Sequence, residues 1–569
     1  MREKAVILLI IIVASGCAQR LSSTGGTSSS STNIDRGKKY LYYQRYESAK
    51  DIFKKALVSN PGNLTAVYWL GQALIHDKDS MAAKTLYQKT LSTNASAPLV
   101  LAGMGQIELM ENKPDVARQR FESAIELSKK TDVEVIHAIA RANVDAPPGD
   151  ANYAIEKLNS VPKLKKRDYK TPETYLILGE AYRKLINGGA AVTAFNQALS
   201  MDPSLAEAKY KIGKVYLSQN NPQFFLPAFQ DAISIDSNYA PALYELFFYW
   251  FERDINKARE YFNKYLAVSD NSPSTEYDRT SVIYASRDYQ TAIDSAMAKI
   301  KLRGEKSDPR YYKLVAYSYD ALKDSVNAKN YLDQYFTKQS MNDFVPQDYV
   351  FRGKLLSKFP GNEEETLASY QKAVDLDTSL PGKLKIMTDA ATFAAGKGIF
   401  KHEAEWLGKI YNVTKEPSNR DIYDWGYAHY KAGDFETADS IFCNVYIPKF
   451  PTEIFGYLWC ARAAGAQDTT MEKGTAVEPY KRLISFARAS GEREDYKSTL
   501  IQAHGYLASY YANVAKDKDS AVLYLQNILK LDSTNESAIQ YIEILTKPEP
   551  KAPSTPKATR TRKKSSAKK

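Results

Sequence analysis

Laid against itself at an offset of 34 residues, the chain places Gly37 over Gly71 over Gly105, Ala49 over Ala83 over Ala117, and Phe53 over Tyr87 over Phe121. The same offset carries Gly179 to Gly213, Tyr182 to Tyr216, Phe195 to Phe229 and Ala198 to Ala232. A chain that repeats small and aromatic residues at fixed spacing folds as a row of like units, each packed on its neighbours. Length alone, 569 residues, would suggest about four globular domains. The repeat overrules that division.

Each column has a physical reason. In residues 172–205, Tyr175, Leu178, Gly179 and Tyr182 recur at i, i+3, i+4 and i+7, which is one face of a helix. Ala191, Phe195, Ala198 and Leu199 mark a second helix. Gly179 and Ala191 are small where the two antiparallel helices meet, since a larger side chain would overpack the contact. Pro203 falls where the second helix stops. Weaker copies follow at Ala258-Phe262-Tyr265, Ala328-Leu332-Tyr335, Ala438-Phe442-Val445 and Ala521-Leu525-Ile528, and one unit is stretched by Ala146-Pro147-Pro148-Gly149-Asp150.

A period of 34 with small residues in these columns resembles the tetratricopeptide repeat, a helix-turn-helix unit. The resemblance implies an all-α fold, a superhelical solenoid of about fourteen units over residues 34–547, several of them degenerate, with a capping helix from Glu536. First helices would line the inner, concave face.

The two ends of the chain read differently. Arg2 and Lys4 precede an uncharged apolar run, Ala5 to Ala14, that is too short to span a bilayer as a helix, which needs about 20 residues. A basic start, an apolar run and small residues at a cut site describe an export signal over residues 1–17. Ala14-Ser15-Gly16-Cys17 resembles the lipobox of bacterial lipoproteins, which implies that Cys17 becomes the lipidated N-terminus. Residues 18–33, rich in Ser, Thr and Gly, are expected to be a disordered tether. With Ala18 rather than an acidic residue after the Cys, the expected location is the cell envelope, on the periplasmic face of an outer membrane.

Residues 548–569 hold eight Lys or Arg and one Glu, a net +7 of the chain's +11. With the signal's net +1 also set aside, residues 18–547 keep +3, so the folded body is nearly balanced and nucleic acid is not an expected partner. The tail lacks any large apolar residue and is expected to be a disordered basic extension, free to touch an anionic polymer or surface.

Enzyme signatures fail one by one. His402-Glu403 begins an H-E-x-x-H helix, but Trp406 stands where the second ligand belongs. Gly103-x-Gly105 and Gly396-x-Gly398 lack the third Gly of a dinucleotide loop, and no P-loop or G-x-S-x-G occurs. The five His are expected on exposed helix positions. No catalytic residue, metal or cofactor is therefore assigned. Cys443 and Cys460 flank one inter-unit turn: buried thiols are the plainer reading, and a disulfide is the alternative in an oxidising compartment.

What remains is a surface. Counting from the Gly columns, the groove-facing positions of first helices include Tyr42, Tyr68, Tyr210, Tyr423, Tyr427 and Tyr430, with Arg183 and Lys184 facing the same way. Tyr suits a binding face because it buries a rigid ring while its hydroxyl keeps a polar contact. The two-carboxylate clamp of some family members is not supported, because Ile34 and Lys38 stand where its Lys and Asn belong. The reading is a non-enzymatic scaffold or adaptor, lipid-anchored, that holds proteins or peptides in its groove and takes part in envelope assembly, secretion or motility. Long repeat lipoproteins of Bacteroidota envelopes look similar in architecture. The alternative is a glycan- or peptidoglycan-binding envelope protein.

Overall fold

The computed structural model describes residues 28–130, 132–161, 171–491 and 493–547. The signal segment with Cys17, the tether as far as residue 27 and the tail 548–569 lie outside the described residues. Among those described, every regular element is a helix. The helices follow one another as fourteen pairs, from Ser28–Tyr42 with Tyr46–Ser59 to Lys497–Asn513 with Lys518–Leu531, and the single helix Glu536–Thr546 ends the row. Two compact units divide between Ser318 and Tyr319.

Local chemistry sets each pair. Second helices open on side-chain caps: Asp79 accepts from the Ala82 amide, Asn187 from Ala190 and Asp324 from Asn327, each contributing about 1 kcal/mol. First helices end where one residue turns left-handed, at Gln44 (φ 56°), Lys78 (φ 67°) and Asn112 (φ 59°), again 34 apart, and at Ile186 (φ 59°) and Asn220 (φ 51°). That single αL residue reverses the chain.

The pair is then held by a small residue against a ring. A Cβ added at Gly71 would overlap the ring of Tyr87, one at Gly105 that of Phe121, and one at Gly179 that of Phe195. These rings are 0–1% exposed and cannot move aside. The Ala column is equally closed, with Ala49, Ala83, Ala117, Ala191, Ala258, Ala328, Ala438 and Ala521 all at 0%.

In the unit of residues 28–318 the core is a strip shared by neighbouring pairs. One cluster joins Ala191, Phe195 and Ala198 to Ala208, Ile212 and Val215 of the next pair. The unit of residues 319–547 is built the same way, for example where Leu367, Tyr370 and Ala373 meet Ile386, Ala390 and Trp406. Its helix from Phe435 carries a π-helical segment, Ile441–Tyr446, before closing at Lys449.

One boundary differs from the sequence reading. The first helix begins at Ser28, inside the stretch expected to be tether. Once the packed part of a helix is nucleated, each added residue gains a hydrogen bond, which carries the helix outward into the Ser run.

Two substitutions in one repeat should move stability in opposite directions. Gly179→Ala pushes a methyl into Phe195 and is expected to cost ~1–3 kcal/mol. Ile186→Gly relieves a β-branched residue in the αL region at a position 93% exposed, for a gain of ~1 kcal/mol. Urea unfolding midpoints check both.

Candidate functional site

The first helices of the unit 28–318 turn their inner faces toward one space. Helix Ser28–Tyr42 supplies Lys38 and Tyr42, Leu64–His76 supplies Trp69 and His76, and Val133–Asp145 supplies Arg141 and Asp145. Helix Pro172–Lys184 adds Glu173 and Glu180, Ala206–Ser218 adds Glu207, Tyr210 and Lys211, and Tyr46 and Tyr239 complete the wall. They enclose a cavity of about 390 Å³, the size of a small-molecule site.

The space is enclosed because the first pair reaches residues 236–270. The Tyr42 and Tyr239 rings lie 4.9 Å apart. The Tyr43 hydroxyl donates to Asp236 Oδ2 at 2.9 Å. Asp270 accepts from Arg45 Nε and from the Ser48 amide, both at 3.1 Å, and from Ser48 Oγ at 2.5 Å. Instead of the open groove expected from the sequence, this unit presents a ring of repeats latched at its seam.

Most charges in the cavity are paired. Lys38 Nζ lies 2.9 Å from Glu134 Oε1 and 4.7 Å from the centre of the Trp69 ring. Arg141 pairs with Glu173. Lys211 Nζ sits 3.4 Å from both Glu180 Oε1 and Glu207 Oε1, and Arg183 Nη2 reaches Glu180 Oε2 at 2.7 Å. Burial works against the Lys211 charge, but these carboxylates more than offset it and hold its pKa above the usual value. Among the described residues the Asp145 carboxylate has no hydrogen bond or ion pair. Desolvation by the surrounding protein pushes its pKa up and pushes that of His76, stacked on Tyr46 at 5.7 Å, down.

The sequence candidates separate accordingly. Tyr42 and Tyr210 stand on the cavity wall, and Arg183 sits beside it, tied to Glu180. Tyr68 does not: it is 1% exposed, packed edge-on against Trp69, and has no surface to offer a ligand. Tight curvature buries the position that an open groove would expose. Lys184 is also spoken for, donating to the Asn143 and Ala146 carbonyls. His76 and Asp145 belong to no motif and stand 69 residues apart in the chain.

In the unit 319–547, Tyr423, Tyr427 and Tyr430 gather along one helix, Asn419–Lys431, around Trp459 at ring distances of 6.1, 4.8 and 5.2 Å. The Arg462 guanidinium lies 4.8 Å from the centre of the Trp459 ring, and nearby Phe455 is 52% exposed. Below this face, Cys443 and Cys460 are bonded as a disulfide with Cα atoms 5.1 Å apart. That replaces the buried-thiol reading, because the two helices bring the Cβ atoms into bonding range at the π-helical segment. Asp439 lies within 4.8 Å of both sulfurs, but the bond leaves no thiolate for a metal.

The histidines correct another expectation. His137 and His504 are 3% exposed rather than on the surface. His137 Nε2 contacts Thr174 Oγ1 at 2.9 Å. Burial pushes the His137 pKa down to about 3 and that of His504 to about 4. Trp406, at the failed zinc position, is core at 3%.

The sequence model of the tetratricopeptide repeat matches residues 34–98 and 176–240. At the level of the repeat, the chain resembles that family. Among solved structures, the C-terminal part of a TPR repeat-containing protein from Cytophaga hutchinsonii is 29% identical, covering 46% of this chain and 98% of that one, with a TM-score of 0.28. A tetratricopeptide repeat protein from Parabacteroides merdae is 17% identical over 44% of this chain and 96% of its own, with a TM-score of 0.36. YrrB, described as a TPR protein with an unusual peptide-binding site, is 21% identical over 34% and 96%, with a TM-score of 0.21. No curated protein sequence matches. Repeats of this type support a protein–protein interaction scaffold.

Two measurements test the site as described. Asp270→Ala removes three acceptor contacts of the first pair, so amide exchange in helix Tyr46–Ser59 should accelerate about tenfold or more. The histidines predict acid sensitivity. Unfolded imidazoles bind protons below about 6.5 and the buried ones do not, so stability is complete above that pH and falls toward pH 4. The unfolding free energy from urea titration should drop between pH 7 and 4.5, by about 2 kcal/mol per histidine, and His504→Leu should flatten the slope.

Proposed function

We propose that the chain is a lipid-anchored adaptor of the bacterial envelope, acylated at Cys17 and facing the periplasm, that gathers partner proteins for assembly, secretion or motility. The observation that carries the reading is the aromatic face of Tyr423, Tyr427, Tyr430 and Trp459. Four rings on packed helices, one end of the patch marked by half-exposed Phe455 and a cation by Arg462, have the composition of a protein-binding hot spot. The Cys443–Cys460 disulfide suits an oxidising, extracytoplasmic compartment. The tail of net +7 supplies a second attachment, to lipid headgroups or an acidic wall polymer.

A second reading rests on one feature of the same face. The Tyr427 and Tyr430 rings are nearly parallel, 12° apart, and flat rings also stack on sugars. Affinity capture from a crosslinked, detergent-solubilised envelope separates the two. Recovered proteins that decline about tenfold with the double variant Tyr427→Ala, Trp459→Ala support the adaptor. Recovery of wall polymer alone supports the glycan binder. In the same cells Cys17→Ser should move the chain from the membrane to the soluble fraction, and a chain that stays in the membrane contradicts the anchor.

A further inference from the structure

The cavity of the unit 28–318 has one charge left over. Its cations are committed: Lys38 to Glu134, Arg141 to Glu173, and Lys211 to Glu180 and Glu207. Those carboxylates are committed in return. Asp145 alone projects a carboxylate with no hydrogen bond or ion pair among the described residues. It is also the last residue of helix Val133–Asp145, where the partial negative charge of the helix end opposes it. Leu64–His76 presents its own C-terminal end to the same cavity through His76. The Tyr42, Tyr46, Tyr210 and Tyr239 rings stand around this space.

We propose that this cavity binds an organic cation, a primary ammonium or guanidinium group, with Asp145 as its counter-ion and the tyrosine rings as its walls. Among the described residues that line the cavity, Asp145 is the carboxylate without a direct partner, and the helix C-terminus adds to the negative potential there. Aromatic faces attract cations as well. An anionic ligand would meet cations already neutralised and a free carboxylate. A hard metal ion would find one carboxylate where it needs about six oxygens. His76, whose pKa lies below its usual value, adds no competing charge at neutral pH. The volume, about 390 Å³, accommodates a lysine or arginine side chain or a small diamine. The inference rests on the cavity alone and stands apart from the envelope reading.

Calorimetric titration of the full chain in detergent tests it. The probes are cadaverine, Nα-acetyl-lysine methylamide and Nα-acetyl-arginine methylamide, with neutral Nα,Nε-diacetyl-lysine methylamide and anionic Nα-acetyl-glutamate methylamide as controls. Saturable binding of a cationic probe, weakened about tenfold or more both by Nε-acetylation and by Asp145→Asn, supports the site. Asp145→Glu, which keeps the charge, should retain it. Tighter binding of the amino-acid amides than of cadaverine assigns the cation to a side chain of a protein partner, and the reverse order assigns it to a free amine. Asp145→Asn removes an unpartnered charge and should leave the urea midpoint unchanged or higher, so loss of binding cannot be ascribed to unfolding. Absence of saturable binding by every cationic probe, equal binding of the neutral control, or binding indifferent to Asp145→Asn would overturn the proposal.

Discussion

The contact between the first helix pair and residues 236–270 is what turns a stack of repeats into a vessel. Repeat arrays are ordinarily held by nearest neighbours alone, so that each pair senses only the one before and the one after. Here the Tyr42 ring meets Tyr239, Tyr43 bonds Asp236, and Asp270 gathers Arg45 and Ser48. An aromatic pair is worth ~0.5–1.5 kcal/mol beyond its buried area, and a hydrogen bond to a charged group ~1.5–3 kcal/mol. Such a seam couples residues almost two hundred positions apart. Without it the charges that now line a cavity would be spread over an open surface.

The two units use the same repeat to different ends. In residues 28–318 the inner positions converge on a small, charged, enclosed space. In residues 319–547 the corresponding positions form an aromatic face with a disulfide beneath it, at a π-helical segment of the kind that often marks functional sites. The same helix pair thus builds an aromatic face in one unit and a charged cavity in the other.

The repeat itself was legible in the sequence because its columns are local. Gly71 faces Tyr87 and Gly179 faces Phe195 within one helix pair, so spacing alone identifies them. Tyr42 and Tyr210 could be placed on the inner face for the same reason. The cavity could not be read, since closure is the sum of small rotations over many repeats, and no local pattern records that sum. Tyr68 illustrates the consequence: it holds an inner-face position by counting, and curvature buries it. The left-handed turn residues lie 34 apart yet differ in type, Gln44, Lys78 and Asn112, so their common geometry leaves no common letter. His137 fooled the eye for another reason, because a polar residue on a helix is usually solvated, and Thr174 from the next pair satisfies this one.

A double-mutant cycle on Tyr42 and Tyr239 tests the closure most directly. Unfolding free energies would be measured for the wild type, Tyr42→Ala, Tyr239→Ala and the double variant. A closed ring predicts a coupling of ~0.5–1.5 kcal/mol between the two positions. Strictly additive losses would mean that the first pair does not rest on the seventh, and that the unit is an open groove after all.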